Sequence, residues 1–168
     1  MRHLTKNGRR ILYLSQAALV AALYTVFTVA VGSFGLASGV IQVRVSEALC
    51  ILPVFMPAAI PGLALGCLIS NLIMAGLWQD VLFGTLATLI GAMGAYLLRR
   101  QPLLAPLPTV VANTVIVPFV LACAYKFEGG VGFFALTVGA GEVISAYLLG
   151  LLLYFALKPH DARLFRQP

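Results

Sequence analysis

Gln42-Val43-Arg44-Val45-Ser46-Glu47 opens a run that is otherwise apolar as far as Met56. On insertion scales a charge at the centre of a membrane-spanning helix costs about 2.5–3.5 kcal/mol. A chain that keeps an arginine and a carboxylate together at the mouth of such a segment has a use for them. Arg44 and Glu47 stand one helical turn apart, so they can pair with each other. Arg44 can also snorkel to the interface, and either residue can contact a ligand.

The rest of the chain sets those two charges in an apolar background. Of 168 residues, 61% are hydrophobic and only 10% charged, with a mean hydropathy of +1.02. Soluble domains carry about 25% charged residues, so this composition cannot cover a surface facing water. The expectation is an all-α integral membrane protein, residues 1–168 forming a single transmembrane domain with no room for a sizeable soluble one. Predicted spans fall at about 11–31, 43–56, 60–77, 81–98, 107–124 and 131–157. The first run follows basic residues like a signal peptide, but its 21 residues exceed the ~7–15 of a signal h-region, so it reads as a retained span.

The net charge of +6 reads as topology rather than as a nucleic-acid signal. Arg2, Lys6, Arg9 and Arg10 precede the first span, Arg99 and Arg100 follow the fourth, and Lys158, Arg163 and Arg166 follow the last. With six transmembrane helices these nine fall on one side and only Arg44 and Lys126 on or near the other, which makes both termini cytoplasmic by the positive-inside rule. The alternative is five spans with the short 43–56 segment re-entrant, which would put the basic tails on opposite sides. Cys50, Cys67 and Cys123 lie in apolar runs without ligand-type spacing, and both histidines lie in the tails. They read as core residues and tail residues, with no metal site and no cofactor.

Sorted by depth, the polar residues within the spans gather at the midplane and on the outer side. Arg44 and Glu47 lie near the outer end of the second span, Asn71 in the third, Trp78 and Asp80 at the outer turn, Asn113 near the middle of the fifth and Glu142 near the middle of the sixth. That distribution suggests a pocket open to the outside. Glu142 follows Val138-Gly139-Ala140-Gly141, where glycines let a ligand approach the backbone; its bland alternative is a structural hydrogen bond to a neighbouring helix. Asn71 and Asn113 serve either as helix glue or as ligand contacts. Trp78 is either a belt residue or a stacking platform, and Asp80 either a solvated loop acid or a site residue. On the first span Ala17, Ala18, Ala21 and Ala22 form overlapping small-xxx-small pairs, the pattern of a close helix–helix contact.

The chain has no G-x-x-x-x-G-K-[ST] phosphate loop, so it cannot hydrolyse ATP by that device. Nor is there an H-E-x-x-H, a G-x-S-x-G or a histidine within a span, which argues against a membrane hydrolase.

Several stretches together resemble the QueT family of queuosine-precursor transporters. They are Ile41-Gln42-Val43-Arg44-Val45-Ser46-Glu47-Ala48-Leu49, Pro57-Ala58-Ala59-Ile60-Pro61-Gly62-Leu63, Gly66-Cys67-Leu68-Ile69-Ser70-Asn71 and Asp80-Val81-Leu82-Phe83-Gly84-Thr85-Leu86-Ala87-Thr88. Leu104-Ala105-Pro106-Leu107-Pro108, Asn113 and Val138-Gly139-Ala140-Gly141-Glu142 complete the set, so that the resemblance runs from about residue 11 to 157. It implies a multi-pass cell-membrane protein, the substrate-binding S component of an energy-coupling factor (ECF) transporter, not an enzyme. Its implied partners are a transmembrane T component and two ATPase subunits, and its implied ligand is a 7-deazaguanine such as preQ0, preQ1 or queuine. It also implies that small residues of the first helix, here Ala17, Ala18, Ala21 and Ala22, meet the T component.

The chemistry of such a ligand suits the residues. A guanine-like edge presents two donors side by side to one carboxylate, Glu142 or Glu47. Its carbonyl needs a donor, which Arg44, Asn71 or Asn113 can supply, and its face can stack on an aromatic ring. The competing readings are an S component for another vitamin or nucleobase, an ion-coupled carrier using Glu142 as its proton site, and a small membrane enzyme.

Overall fold

Helices account for nearly all of the chain's regular structure. The computed structural model describes residues 5–33, 44–74, 76–123, 130–161 and 165, and among these there is no strand. Gln42, Val43, the loop from Phe34 to Gly39, the turn 124–129 with Lys126, and Arg2, His3, Arg163 and Arg166 lie outside the described residues.

Helix α1 covers Lys6–Ser33. It starts earlier than the apolar run because Thr5 caps it, its Oγ1 accepting from the Gly8 amide at 3.2 Å, and because lysine and arginine are good helix formers. Next comes a 3₁₀ helix, Val45–Val54, in which every residue from Ser46 to Pro53 is buried. Ten residues of 3₁₀ are unusual, since such helices seldom exceed ~3–4 residues. With a rise of about 2.0 Å per residue the segment reaches about 20 Å, against about 15 Å for the same residues in an α-helix.

Helix α2, Ala59–Ile73, ends before the sequence pattern suggests. The Gly76 amide bonds back to the Asn71 carbonyl at 3.0 Å, which satisfies one of the carbonyls left open at the helix end. Helix α3, Trp78–Leu97, begins directly afterwards with Asp80 in its first turn, where a carboxylate suits the helix dipole. Helix α4 is Leu107–Cys123 and contains Pro118. Helix α5, Val131–Glu142, runs without a break into a π-helical segment, Val143–Leu149, and then into α6, Gly150–Leu157.

Small residues decide how closely the helices pack. A β-carbon on Gly62 would stand 2.6 Å from the Ala17 carbonyl oxygen, and one on Gly66 would stand 2.7 Å from Tyr24 Cβ and 2.9 Å from the Ala21 carbonyl oxygen. Ala17 and Ala21 are therefore buried against α2, whereas Ala18 and Ala22 are exposed. The four alanines do not form one face: one pair is spent inside the subunit and the other looks outward. Helices α3 and α4 meet in the same way, with Gly91 lying where a β-carbon would come within 2.8 Å of Thr109 Cα.

The exterior is apolar, and polar residues are set within an otherwise apolar interior. Glu47, Ser70, Asn71, Thr88, Thr109, Asn113, Glu142 and Ser145 are buried, while Leu14, Leu19, Val26, Leu86, Met93, Leu97, Leu136 and Leu152 are exposed. Lys6–Ser33, Trp78–Leu97 and Val131–His160 are long and apolar enough to cross a membrane, and Val45–Val54, Ala59–Ile73 and Leu107–Cys123 are shorter apolar helices. One end of the bundle is closed by aromatic packing, with Phe55 stacked on Tyr154 at 5.3 Å and on Phe165 at 5.0 Å. Leu49, Leu52, Met56, Leu63 and Ala92 pack into the core between that plug and the polar residues at the start of the 3₁₀ helix.

Candidate functional site

Glu47 is the third residue of the 3₁₀ helix and is 1% exposed. One of its carboxylate oxygens accepts from the Tyr24 hydroxyl. The other accepts from the Cys50 thiol at 3.2 Å. Tyr24 reaches it because α1 presents Ala17, Val20, Ala21 and Tyr24 as one buried stripe. Thr28 ties the same two elements together: its hydroxyl donates to the Tyr24 carbonyl at 2.9 Å and pairs with Ser46 Oγ at 2.8 Å.

Arg44 stands just before the 3₁₀ helix as its N-cap residue, with no side-chain cap hydrogen bond, and Asp80, Tyr24, Cys67 and Glu47 lie in its electrostatic surroundings. Asp80 is held at the start of α3, where Asn71 of α2 approaches: Asn71 Nδ2 lies 3.5 Å from the Asp80 carbonyl oxygen and 3.5 Å from Cys67 Sγ. A β-carbon on Gly84 would come 3.1 Å from that same amide nitrogen, so the glycine makes room for it. Asn71 thus bridges α2 and α3 beside Asp80.

Glu142 ends α5 at the point where the helix changes to π geometry. Such bulges are frequent at functional sites because the extra residue per turn re-aims side chains. Its carboxylate feels Glu47, Asn113 and Arg44. Glu142 and Asn113 are 5% and 4% exposed, yet Glu142 Oε2 and Asn113 Nδ2 close no hydrogen bond within the protein. Ser145, three residues on and 0% exposed, also has an unpartnered hydroxyl. Buried polar atoms without partners cost ~1–3 kcal/mol each, so a cluster of them marks groups kept for something else. Asn113 lies one turn before Pro118, whose ring cannot donate to the Thr114 carbonyl, so that turn of α4 is less tightly bonded.

Arg44, Glu47, Asp80, Asn113 and Glu142 thus share one electrostatic neighbourhood, and Asn71 approaches the Asp80 backbone. Trp78 does not join this buried group, being 68% exposed at the start of α3. Tyr24, Cys50 and Ser145 were not expected from the sequence. Tyr24 could have been found as the polar member of the α1 stripe, and Ser145 as the hydroxyl one turn beyond Glu142. Cys50 and Cys67 are buried as expected, but Cys123 is exposed. It lines a cleft of about 370 Å³ between α3 and α4 with Gln79, Phe83, Val115, Ile116, Phe119 and Val120. That cleft holds none of the charged residues, and its walls are those of a lipid-facing surface rather than of a polar site. Among the described residues no group of three or more His, Cys, Asp and Glu is placed to hold a metal ion.

A helical bundle with an apolar exterior and a buried, incompletely bonded charged cluster defines a membrane protein of the solute-handling kind. Residues 14–159 match the family described as QueT transporter, and the chain belongs to that family. It is 41% identical over 73 residues to a protein of Lactococcus lactis subsp. cremoris (strain MG1363) named queuosine precursor transporter QueT. That match covers 44% of this chain and 43%, less than half, of that protein. No solved structure matches the chain.

Proposed function

We propose that this chain is the substrate-binding S component of an energy-coupling factor importer, and that it captures a 7-deazaguanine queuosine precursor from outside the cell. Uptake is then driven by a separate transmembrane T component and two ATPase subunits. In this reading the chain crosses the cell membrane six times with both termini cytoplasmic, an arrangement supported by the nine basic residues it gathers on that side.

The observation that carries this reading is that Glu142 Oε2 and Asn113 Nδ2, both on buried residues, have no hydrogen-bond partner within the protein. A guanine-like edge offers two adjacent donors and one acceptor. Glu142 can accept from the donors, and the Asn113 amide can donate to the carbonyl. Similarity to the lactococcal transporter supports the same ligand class. Ala18 and Ala22, exposed on α1, remain for close contact with the T component.

The test is direct binding to the purified chain. It should bind a 7-deazaguanine saturably without partners, and Glu142→Gln or Asn113→Ala should weaken binding at least tenfold. Unchanged binding by both variants would remove the site assignment, and no binding of any deazaguanine by the parent would remove the ligand class. The buried Glu142 next to Glu47 favours one second reading, a proton-coupled carrier. That reading requires transport by the chain alone in proteoliposomes under a pH gradient.

A further inference from the structure

The end of the bundle that carries the aromatic plug also carries a pocket that the proposed transport site does not use. It has a volume of about 520 Å³ and lies between the turn after α3 and the end of α6. Both of its walls are anchored. On one side the Leu104 and Ala105 amides bond back to the Gln101 carbonyl at 2.9 and 3.2 Å. On the other, Tyr154 is held by its stack on Phe55. Tyr154 and Ala105 belong to one buried cluster, so the pocket is built into the fold.

Its lining is divided. Leu103, Leu104 and Phe155 line it while 54%, 42% and 54% exposed. Leu107 and Leu152, one helical turn from Leu104 and Phe155, are exposed as well, so the apolar wall continues into the surface that faces lipid. Gln101 and Lys158 supply the polar part of the lining. The Lys158 ammonium lies 5.7 Å from the centre of the Tyr154 ring, which keeps the charge over the pocket's inner wall. Arg100, exposed, adjoins Gln101, whereas Arg99 is turned onto the Tyr96 ring at 4.2 Å. Against these three cations the same end sets one described acid, Asp161.

We propose that this pocket binds one anionic phospholipid, its phosphate on Lys158 and Gln101 and an acyl chain along Leu103, Leu104 and Phe155. An apolar wall open to hydrocarbon with a cation at its rim matches both halves of such a molecule. A soluble phosphate would leave the leucines and Phe155 uncovered. A zwitterionic lipid brings its own ammonium to the phosphate and gains less from Lys158. In the six-span reading this is the cytoplasmic end, whose leaflet carries the anionic lipids. Once bound, the lipid joins the turn after α3 to α6 and braces Tyr154, on which Phe55 rests at the end of the 3₁₀ helix.

Native mass spectrometry of the full chain in detergent tests this, with dioleoylphosphatidylglycerol, dioleoylphosphatidylcholine and glycerol phosphate as probes. The parent should bind the phosphatidylglycerol about fivefold tighter than the phosphatidylcholine, the weight of one basic residue beside an anionic headgroup. Glycerol phosphate, which has no acyl chain, should not bind detectably. Lys158→Gln should abolish the preference between the two lipids, and Phe155→Ala should weaken both. Lys6→Gln with Arg9→Gln, at residues lining a different hollow, should keep the preference. Equal binding of the two lipids by the parent, or a full preference in Lys158→Gln, overturns the assignment. Glycerol phosphate binding as tightly as the lipid overturns it too, since the site is then one for soluble phosphate. Lys158 and Phe155 are exposed, and the comparison of lipids on the parent stands without any variant.

Discussion

The Tyr24 hydroxyl donates to the carboxylate of Glu47 across a separation of 23 residues, tying the first long helix to the buried 3₁₀ segment. Tyr24 is 1% exposed, so water cannot replace the hydroxyl if it is removed. Tyr24→Phe leaves a carboxylate oxygen short of a donor at nearly constant volume. The expected loss is about 1–3 kcal/mol of stability, read as a lower unfolding midpoint in detergent. Ligand binding should weaken in parallel, since Glu47 loses one of the two donors that aim it.

The contact between α1 and α2 sets where Tyr24 stands. At Gly66 an added β-carbon would meet Tyr24 Cβ and the Ala21 carbonyl, and at Gly62 it would meet the Ala17 carbonyl and Val20 Cβ. Backbone atoms cannot swing aside, so Gly66→Ala must push the two helices apart. Overpacking of this kind costs about 1–3 kcal/mol. The prediction is a destabilised protein whose deazaguanine affinity falls further than its stability explains, because Tyr24 moves with α1. Affinity measured well below the variant's unfolding midpoint checks this, and an unchanged value would separate the helix contact from the site.

Ala18 and Ala22 supply the opposite case. They lie beside Ala17 and Ala21 in sequence but face outward. Ala18→Leu with Ala22→Leu adds apolar volume to a surface without displacing anything inside. The expected result is unchanged folding and unchanged ligand binding by the isolated chain, together with loss of co-purification with a T component and of ATP-dependent uptake. Full uptake by the double variant would place the partner contact elsewhere.

These cases mark what the sequence could and could not convey. Apolar runs broken by Pro57 and Pro102 delimit helices because breakers and hydropathy are local properties, whereas the predicted span 60–77 runs past the end of α2 at Ile73. Charge position identified Arg44, Glu47, Asn113 and Glu142 for the same reason, since a polar residue in an apolar run is visible without knowing its neighbours. Pairing is not local. The spacing of Arg44 and Glu47 permits a bond between them, yet the Glu47 carboxylate accepts from Tyr24 and Cys50, because α1 and the next turn of its own helix deliver those donors. Nor does the pattern distinguish α from 3₁₀ over Val45–Val54 or from π over Val143–Leu149. These two irregular segments pack on each other, a contact that no local pattern within either stretch conveys. The split of the four alanines follows from where α2 lies, which no spacing within α1 reveals.

Glu142 offers the sharpest separation of stability from function. Its carboxylate is buried, faces Glu47 and has an oxygen without a donor. Glu142→Gln preserves the shape and removes the like-charge contact, and its amide can donate where the carboxylate could only accept. A buried charge lacking full compensation is costly, and a neutral group of the same shape removes that cost. The unliganded variant should therefore unfold at the same temperature as the parent or higher, while its affinity for every deazaguanine falls at least tenfold. A residue retained for packing would show the reverse, with lower stability and binding intact. Unfolding midpoints with and without ligand, measured side by side for parent and variant, decide between them. The parent should gain stability on adding the ligand, as mass action requires of any species that binds only the folded state, and the variant should gain little at the same concentration.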